Sequence, residues 1–426
     1  MIFLHILARI SSWTGRALQR NTEKNKLTGI PMSSALHLIS PQTPATIATA
    51  LAERLAETAV ERDRHGGHAA REREWIRDSG LLTLSIPTEY GGQGADWSTV
   101  YETIRILARA DSALAHVYGF HHLQLAGVRL YGDAAQQERL LTETVQQRAF
   151  WGNALNPLDK RTVATESGDG FTLNGYKSFS SGSVGSDWLT LSAWHAPTRS
   201  ALIAVLPTQT SGLNVRADWN AFGQKQTDSG TVAFDNVALP ADLVLQRPGE
   251  DSTPQATLRT QVAQLIMANL YLGIGEGAFA AARDYTLQES KPWIASGVVR
   301  AADDPYIQQR YGKLWVLLRP AAVLADHAAR DLDRLFRKGS QVTAQERGEL
   351  AVAVAEAKVL AHQAGIEVSN QLFELTGARS TSAKYGFDRF WRNVRVHTLH
   401  DPVDYKYRDL GRYALEGTLP EATAYS

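Results

Sequence analysis

The stretch Phe222-Gly-Gln-Lys-Gln-Thr-Asp-Ser-Gly-Thr-Val-Ala-Phe-Asp-Asn-Val-Ala-Leu-Pro240 stands at a seam in the chain. Its first half is framed by Gly223 and Gly230, residues that punctuate loops and strands. Its second half, Thr231-Val-Ala-Phe234 and Val237-Ala-Leu-Pro240, carries the apolar and β-branched residues that fit a pleated surface. Working upstream, Ala201-Leu-Ile-Ala-Val-Leu206 and Trp188-Leu-Thr-Leu-Ser-Ala-Trp194 read as buried strands. Phe171-Thr-Leu-Asn-Gly-Tyr-Lys177 holds the dipeptide Asn174-Gly175, which predicts a turn between two strand-like runs. The β texture runs from Trp151 to about Leu245, with Gly182, Gly185 and Gly212 as further punctuation.

On both sides of this block the period changes to that of helices. From Pro44 to about Phe150, Ile47, Leu51 and Leu55 share one face, as do Trp97, Val100, Ile104 and Leu107. Gly80 reads as a helix stop, and Asp111-Ser112 can cap a helix carrying His116 and His121. Downstream, Leu258 to Tyr285, Pro305 to Arg337 and Thr343 to Leu375 are long, apolar-faced runs of the kind that bundle. The domains expected are thus 44–150 helical, 151–255 β and 256–426 helical.

Composition narrows the function. Lys and Arg number 44 and Asp and Glu 44, with no basic block, so a nucleic-acid partner is not expected. There is no cysteine, which excludes thiolate catalysis, disulfides and Cys-ligated metals. No metal is expected. No apolar run is read as long enough to span a bilayer, so no membrane partner is expected either. Met1-Ile-Phe-Leu-His-Ile-Leu-Ala8 is apolar, with its basic residues Arg9, Arg16, Arg20, Lys24 and Lys26 after it, the reverse of a signal peptide. Residues 1–31 are read as a dispensable, disordered extension or a mis-set start ahead of Met32.

The segment Arg389-Phe-Trp-Arg-Asn-Val-Arg-Val-His-Thr-Leu-His-Asp-Pro402 draws attention for chemistry. His397 and His400 stand three apart, which predicts one shared helical face, and Pro402 ends or kinks the helix. Imidazoles at a helix end can handle protons near neutral pH. The competing reading is that one caps the helix and the other packs.

Three motifs together carry a resemblance. Pro87-Thr-Glu-Tyr-Gly-Gly-Gln-Gly94 matches a Pro-x-x-Tyr-Gly-Gly-x-Gly signature, Lys177-Ser-Phe-Ser-Ser-Gly182 with Ser186-Asp187 matches a flavin-facing strand, and Phe222 to Pro240 matches a glycine-led segment closing the sheet. With these the chain resembles the acyl-CoA dehydrogenase superfamily from Pro44 to its end. It departs from the dehydrogenases at Asn370-Gln-Leu-Phe-Glu-Leu-Thr-Gly377, which lacks their double glycine for the adenylate half of FAD. Leu415-Glu-Gly-Thr418 has the letters of their glutamate motif but lies too far downstream. With His397 and His400 in that region instead, the chain resembles the two-component flavin monooxygenases, the branch that includes dibenzothiophene, methanesulfinate and dimethyl-sulfone-pathway monooxygenases.

The resemblance implies an α+β fold: an N-terminal helical domain, a middle β-barrel domain and a C-terminal four-helix bundle. It implies FMN, taken as FMNH2 from a separate NAD(P)H:FMN reductase, with O2 as co-substrate and a flavin hydroperoxide as oxidant. The substrate would be a small organosulfur compound, the assembly a homotetramer and the location cytoplasmic. Residue by residue, His400 would sit nearest the reacting flavin edge, with His397 in a structural role behind it. Ser181 would hydrogen-bond the ring, and His116 and Asn153 would line the site. Phe179 and Trp219 would surround flavin and substrate. Phe120 shares a face with His116, at a position where dibenzothiophene monooxygenase has tyrosine. Arg379 and Lys291 would contact the phosphate, while Arg389 and Arg392 would pair with carboxylates of the bundle. Aromatic S-oxygenation of the dibenzothiophene type, acyl-CoA dehydrogenation and a non-catalytic binding role are the alternatives.

Overall fold

Helix starts follow capping chemistry. The computed structural model describes residues 42–426, so the reading of residues 1–31 lies outside the described residues. Helix α1 (Pro44–His65) begins with proline and is capped by Thr43, whose hydroxyl accepts from the Thr46 amide at 3.2 Å. After α2 (Ala70–Asp78) the chain turns at Gly80, in the left-handed region at φ 77°. Helix α3 (Trp97–Ala110) buries Trp97, Val100, Ile104 and Leu107 as their spacing predicts. The Asp111 carboxylate then accepts from the amides of Ala113 and Leu114 at 3.1 and 3.0 Å and starts α4 (Ser112–Tyr131). Helix α4 is buried along almost its whole length, a central helix rather than a surface one. Helix α5 (Ala134–Gln147) completes this part.

The middle of the chain forms one mixed sheet. Its strands are β1 (Trp151–Ala154), β2 (Val163–Ser167), β3 (Gly170–Lys177), β4 (Trp188–His195), β5 (Ser200–Pro207), β6 (Leu213–Val215), β7 (Val232–Leu239) and β8 (Val244–Gln246). The order is β6-β7-β3-β2-β4-β5-β8, with β1 parallel to β4. Leu173, Leu191, Ala204, Val232 and Val244, from five strands, share one core, as a barrel interior would, while the ladder stays open between β6 and β8.

The predicted turn at Asn174-Gly175 is not a turn. The two residues lie inside β3, and the hairpin reverses at Gly168-Asp169, where Ser167 pairs with Gly170. Gly175 has φ 119°, and a Cβ there would fall 2.0 Å from the Arg161 carbonyl oxygen. It marks a bulge, where the pairing with β7 shifts register. The Asn174 side chain accepts from the Asn236 amide at 2.9 Å, and Phe234 and Val237 both lie in β7. Turn and bulge glycines carry the same local signal, and only the partner strand separates them.

Helices α6 (Leu258–Gln288), α7 (Pro305–Lys338) and α8 (Ala344–Thr376) pack side by side, with the shorter α9 (Asp388–Thr398) against α6 and α8. Helix α10 (Val403–Glu416) follows on α8, with Pro402 as its N-cap residue. By length and composition α6 could cross a bilayer, contrary to the sequence expectation. Its apolar residues are nevertheless spent inside the protein, against α3, α4, α7, α8 and α9, so it is a core helix.

The loop that opens Phe222–Pro240 ties these parts together. A Cβ at Gly223 would fall 2.2 Å from the Arg392 carbonyl oxygen of α9, so only glycine allows that approach. The Gln224 amide donates to Asn393 Oδ1 at 2.7 Å, and its side chain donates to Ser112 Oγ at 3.1 Å. Sheet, α4 and α9 thus meet at one glutamine, which adopts a left-handed φ of 52° to do so.

Candidate active site

His116 and His397 come from α4 and α9, far apart in sequence. The fold sets their rings edge to face, with centroids 4.7 Å apart. Both are buried. His116 also stacks on Phe120 at 4.0 Å, so the helical spacing of those two residues does produce contact. Among the described residues, neither ring nitrogen of His116 and not Nδ1 of His397 has a hydrogen-bond partner. His121, one turn on, is the contrast: Nε2 donates to the Leu82 carbonyl at 2.8 Å, and Nδ1 accepts from the Trp151 amide at 3.2 Å. His121 is a satisfied core histidine, whereas His116 and His397 hold open hydrogen-bonding capacity while buried. Burial pushes the His397 imidazole down to about 3, with His400 adding to the effect. Burial, with His397 and His400 adding, holds His116 well below the usual histidine range. Both rings are therefore neutral near pH 7.

Ser181 stands on the sheet side of the same region. Its hydroxyl shares a hydrogen bond with Ser229 at 2.9 Å, and its carbonyl accepts from the Asn153 amide of β1 at 2.8 Å. Its neighbour Gly182, at φ 69°, comes up against Val117 of α4, next to His116. Phe179 has a left-handed φ of 56° and is 71% exposed, its ring edge-on to Trp219 at 5.8 Å. Trp219 is held by a 2.9 Å hydrogen bond from its indole N–H to the Gln224 carbonyl. A large aromatic side chain turned outward on a strained backbone is a presented surface, not core packing.

His400 has a different character from its neighbours. Helix α9 ends at Thr398, so His397 and His400 do not share a helical face as the spacing predicts. His397 stays in the helix and is buried. His400 turns out of it, with its side chain 46% exposed, and its Nδ1 meets Asp401 Oδ1 at 3.1 Å. Asp401 is buried and is also bonded by the Lys358 ammonium of α8. Burial alone would raise the Asp401 carboxyl, but the His400 hydrogen bond and the Lys358 charge outweigh it and hold it below the carboxylate range. A cavity of about 440 Å³ opens beside His400, bounded by Tyr405 and Arg408 of α10 and by Thr423 and Tyr425.

Two candidates lie elsewhere in the chain. Lys291 follows the C-terminal end of α6, and exposed Arg379 lies near Tyr285 in its last turn. Tyr271 of the same helix donates to the His397 carbonyl at 3.0 Å. Fourteen residues at 1.5 Å each separate Tyr271 from Tyr285, about 21 Å along the helix. Glu416, the glutamate of Leu415-Glu-Gly-Thr418, is exposed at the end of α10. Arg392 does not pair within the bundle alone: it reaches Asp63 of α1 as well as Asp388 of its own helix, and so ties the N-terminal helices to α9. Arg389 bonds the Gly386 carbonyl at 3.1 Å, and no carboxylate pairs with it among the described residues.

Sequence reasoning missed the residues that hold the site together. Arg73 is buried, bonds Asp228 at 3.1 Å and donates to the Gly182 carbonyl, which fixes the turn beside Ser181. Gln224, Asn393 and Lys358 are likewise buried polar groups that clamp site segments. A buried arginine or glutamine gives no local sequence signal, because its partners are long-range.

Comparison with known proteins matches the chain to three family models. They are the acyl-CoA dehydrogenase N-terminal domain over residues 42–148, the middle domain over 152–237 and the C-terminal domain over 265–405. Among relatives, a "Probable FMNH2-dependent monooxygenase SfnC" of Pseudomonas putida is 48% identical over 389 residues, 91% of this chain and 98% of that protein. Among solved structures, methanesulfinate monooxygenase MsuC from Pseudomonas fluorescens superposes with a TM-score of 0.89 at 48% identity, covering 90% of this chain and 100% of that one. Dibenzothiophene monooxygenase TdsC from Paenibacillus sp. A11-2, in complex with FMN and indole, superposes with a TM-score of 0.87 at 39% identity, covering 90% of this chain and 100% of that one.

Proposed function

This chain belongs to the acyl-CoA dehydrogenase family, in its branch of FMNH2-dependent monooxygenases, and we propose that it oxygenates a small organosulfur compound, an alkylsulfinate or a sulfide- or sulfone-pathway substrate. The observation that carries this reading is the neutral, buried His116–His397 pair with unpartnered nitrogens, while Glu416, the glutamate of the dehydrogenase-like letters, is exposed at the end of α10.

The residues present fit a flavin. The open imidazole nitrogens and the Ser181 hydroxyl offer hydrogen bonds, and Phe179 and Trp219 offer aromatic faces for a planar ring. When bound, reduced FMN supplies the reaction with O2. The chain's own residues do the rest. Ser181 and Asn153 orient the ring from the sheet side. His116 and His397, kept neutral, each give a hydrogen bond without placing a charge in the pocket. Phe120 and the packed α4 exclude water. His400, carried by a carboxylate, holds and returns a proton at Nε2.

Lys291 and Arg379 supply cations for the FMN phosphate. Their distance along α6 from His397 leads us to assign them to the flavin of a neighbouring copy, which fits a homotetramer. A separate NAD(P)H:FMN reductase in the cytoplasm delivers FMNH2. The exposed Phe179–Trp219 pair favours one second reading, oxidation of an aromatic sulfur compound such as dibenzothiophene.

The test is a substrate panel of methanesulfinate, dimethyl sulfone and dibenzothiophene, with reduced FMN and O2. Oxygenation of an alkyl sulfur compound supports the proposal, and preference for dibenzothiophene shifts it to the second reading. Dye reduction by an acyl-CoA without any reductase would overturn it.

A further inference from the structure

Lys358 and Asp401 form an ion pair whose placement goes beyond packing. Lys358 is 2% exposed, lies in the middle of α8, and its ammonium donates to both Asp401 Oδ1 and the side-chain Oε1 of Gln264 on α6. Asp401 is 7% exposed and sits in the link between α9 and α10. The same Asp401 oxygen that takes the lysine also takes His400 Nδ1. A buried ion pair is weak evidence for stability in itself, because desolvating both charges offsets their attraction. This one extends to a half-exposed imidazole beside a cavity, which is the arrangement that orients a histidine used in proton transfer.

We propose that Lys358 and Asp401 are positioning residues that fix the tautomer of His400 and so decide which of its nitrogens faces the site. An ionised carboxylate only accepts hydrogen bonds, so the nitrogen facing it, Nδ1, carries the proton. Nε2 is then the bare nitrogen, able to take a proton and give it back. Lys358 keeps Asp401 ionised, so the proton stays on the imidazole. Tyr271 of α6, His362 of α8, Lys406 of α10 and Tyr425 also act on this centre, and none of them stands between Asp401 and His400. The proposal rests on the reading of His400 as the group that manages the proton in oxygenation.

The experiment compares Asp401→Asn, the double variant Lys358→Met with Asp401→Leu, and His400→Ala. Three properties are read: melting temperature, the His400 tautomer by nitrogen-15 NMR of histidine-labelled protein without flavin, and the share of FMNH2 oxidation that ends in product rather than hydrogen peroxide. The His400 signal is assigned by its loss in His400→Ala. The double variant removes both charges of the pair together, and with Lys358 gone as well as Asp401 the buried Lys406 loses a repelling and an attracting neighbour at once, so its melting temperature should stay within a few degrees of wild type. Its His400 should become a mixture of tautomers, and product should fall at least tenfold. Asp401→Asn, near in shape, should show the same mixing and keeps the test open if the double variant does not fold. A single Nδ1–H tautomer with unchanged coupling in these variants would reduce the pair to a structural role and overturn the proposal. If His400→Ala itself keeps full coupling, the functional reading of His400 fails, while the NMR result still decides whether the pair sets its tautomer.

Discussion

His397 and His400 stand three residues apart in sequence, yet their two imidazole environments are built on opposite principles. His116 and His397 are buried against each other and Phe120, and among the described residues they pair with no carboxylate and leave nitrogens open. His400 is half exposed and chained to Asp401 and Lys358. One environment excludes charge, and the other is arranged to carry it. On our proposal the first environment keeps water from a bound flavin and the second moves a proton.

The largest effect should come from breaking the charged side. His400→Ala should lower product formation by roughly 100- to 10,000-fold, the usual contribution of an acid–base group, while FMNH2 is still consumed and hydrogen peroxide appears. Product and peroxide measured together check this, and an unchanged product yield would make His400 structural.

The neutral side should show itself in stability. Burial holds His121 at about 4 and His397 at about 3, and holds His116 and His122 well below the ordinary histidine value of about 6.5. Above that ordinary value, folded and unfolded imidazoles are both neutral, and nothing is lost. As pH falls below it, the unfolded chain binds protons that the folded chain refuses, so stability drops progressively down to the folded values. The loss between pH 7 and 4.5 should be on the order of a few kcal/mol for each ring that stays neutral in the folded chain, read from denaturant midpoints at those two pH values. Unchanged midpoints would mean that these rings take up protons in the folded state.

Away from both clusters, Arg379→Ala should weaken FMN binding by roughly 1.5–3 kcal/mol, the size of a charge-assisted contact. Titration in the assembled protein checks it, and unaltered affinity would leave Arg379 a surface residue. The smallest effect should follow from Ser181→Ala, which removes one neutral hydrogen bond worth about 0.5–1.5 kcal/mol, so coupling should fall only several-fold. A loss as large as that of His400→Ala would mean that the neutral side also carries the proton.

Much of this architecture was legible in the sequence because it is local. Helical periodicity found α1, α3, α6, α7 and α8, and Asp111 and Pro402 marked boundaries by chemistry that acts over three or four residues. Asn174-Gly175 misled because a bulge is defined by a partner strand. The shared face expected for His397 and His400 failed because the helix stops between them. Candidate residues came from motif resemblance, but the contacts around them did not. The encounter of His116 with His397, and the ties of Arg73, Gln224 and Lys358, span from tens of residues to nearly three hundred, and no window of sequence contains them.

The contact of Gly223 with the Arg392 carbonyl bears on how this protein can be re-engineered. Backbone touches backbone there, and Gln224 binds Asn393 and Ser112 in the same place. Three stretches of the gene far from one another therefore behave as one inherited unit. A chimera that takes its sheet from one relative and its helices from another should keep a working site only if Ser112, Gly223-Gln224 and Asn393 come from the same parent, whatever the crossover points elsewhere.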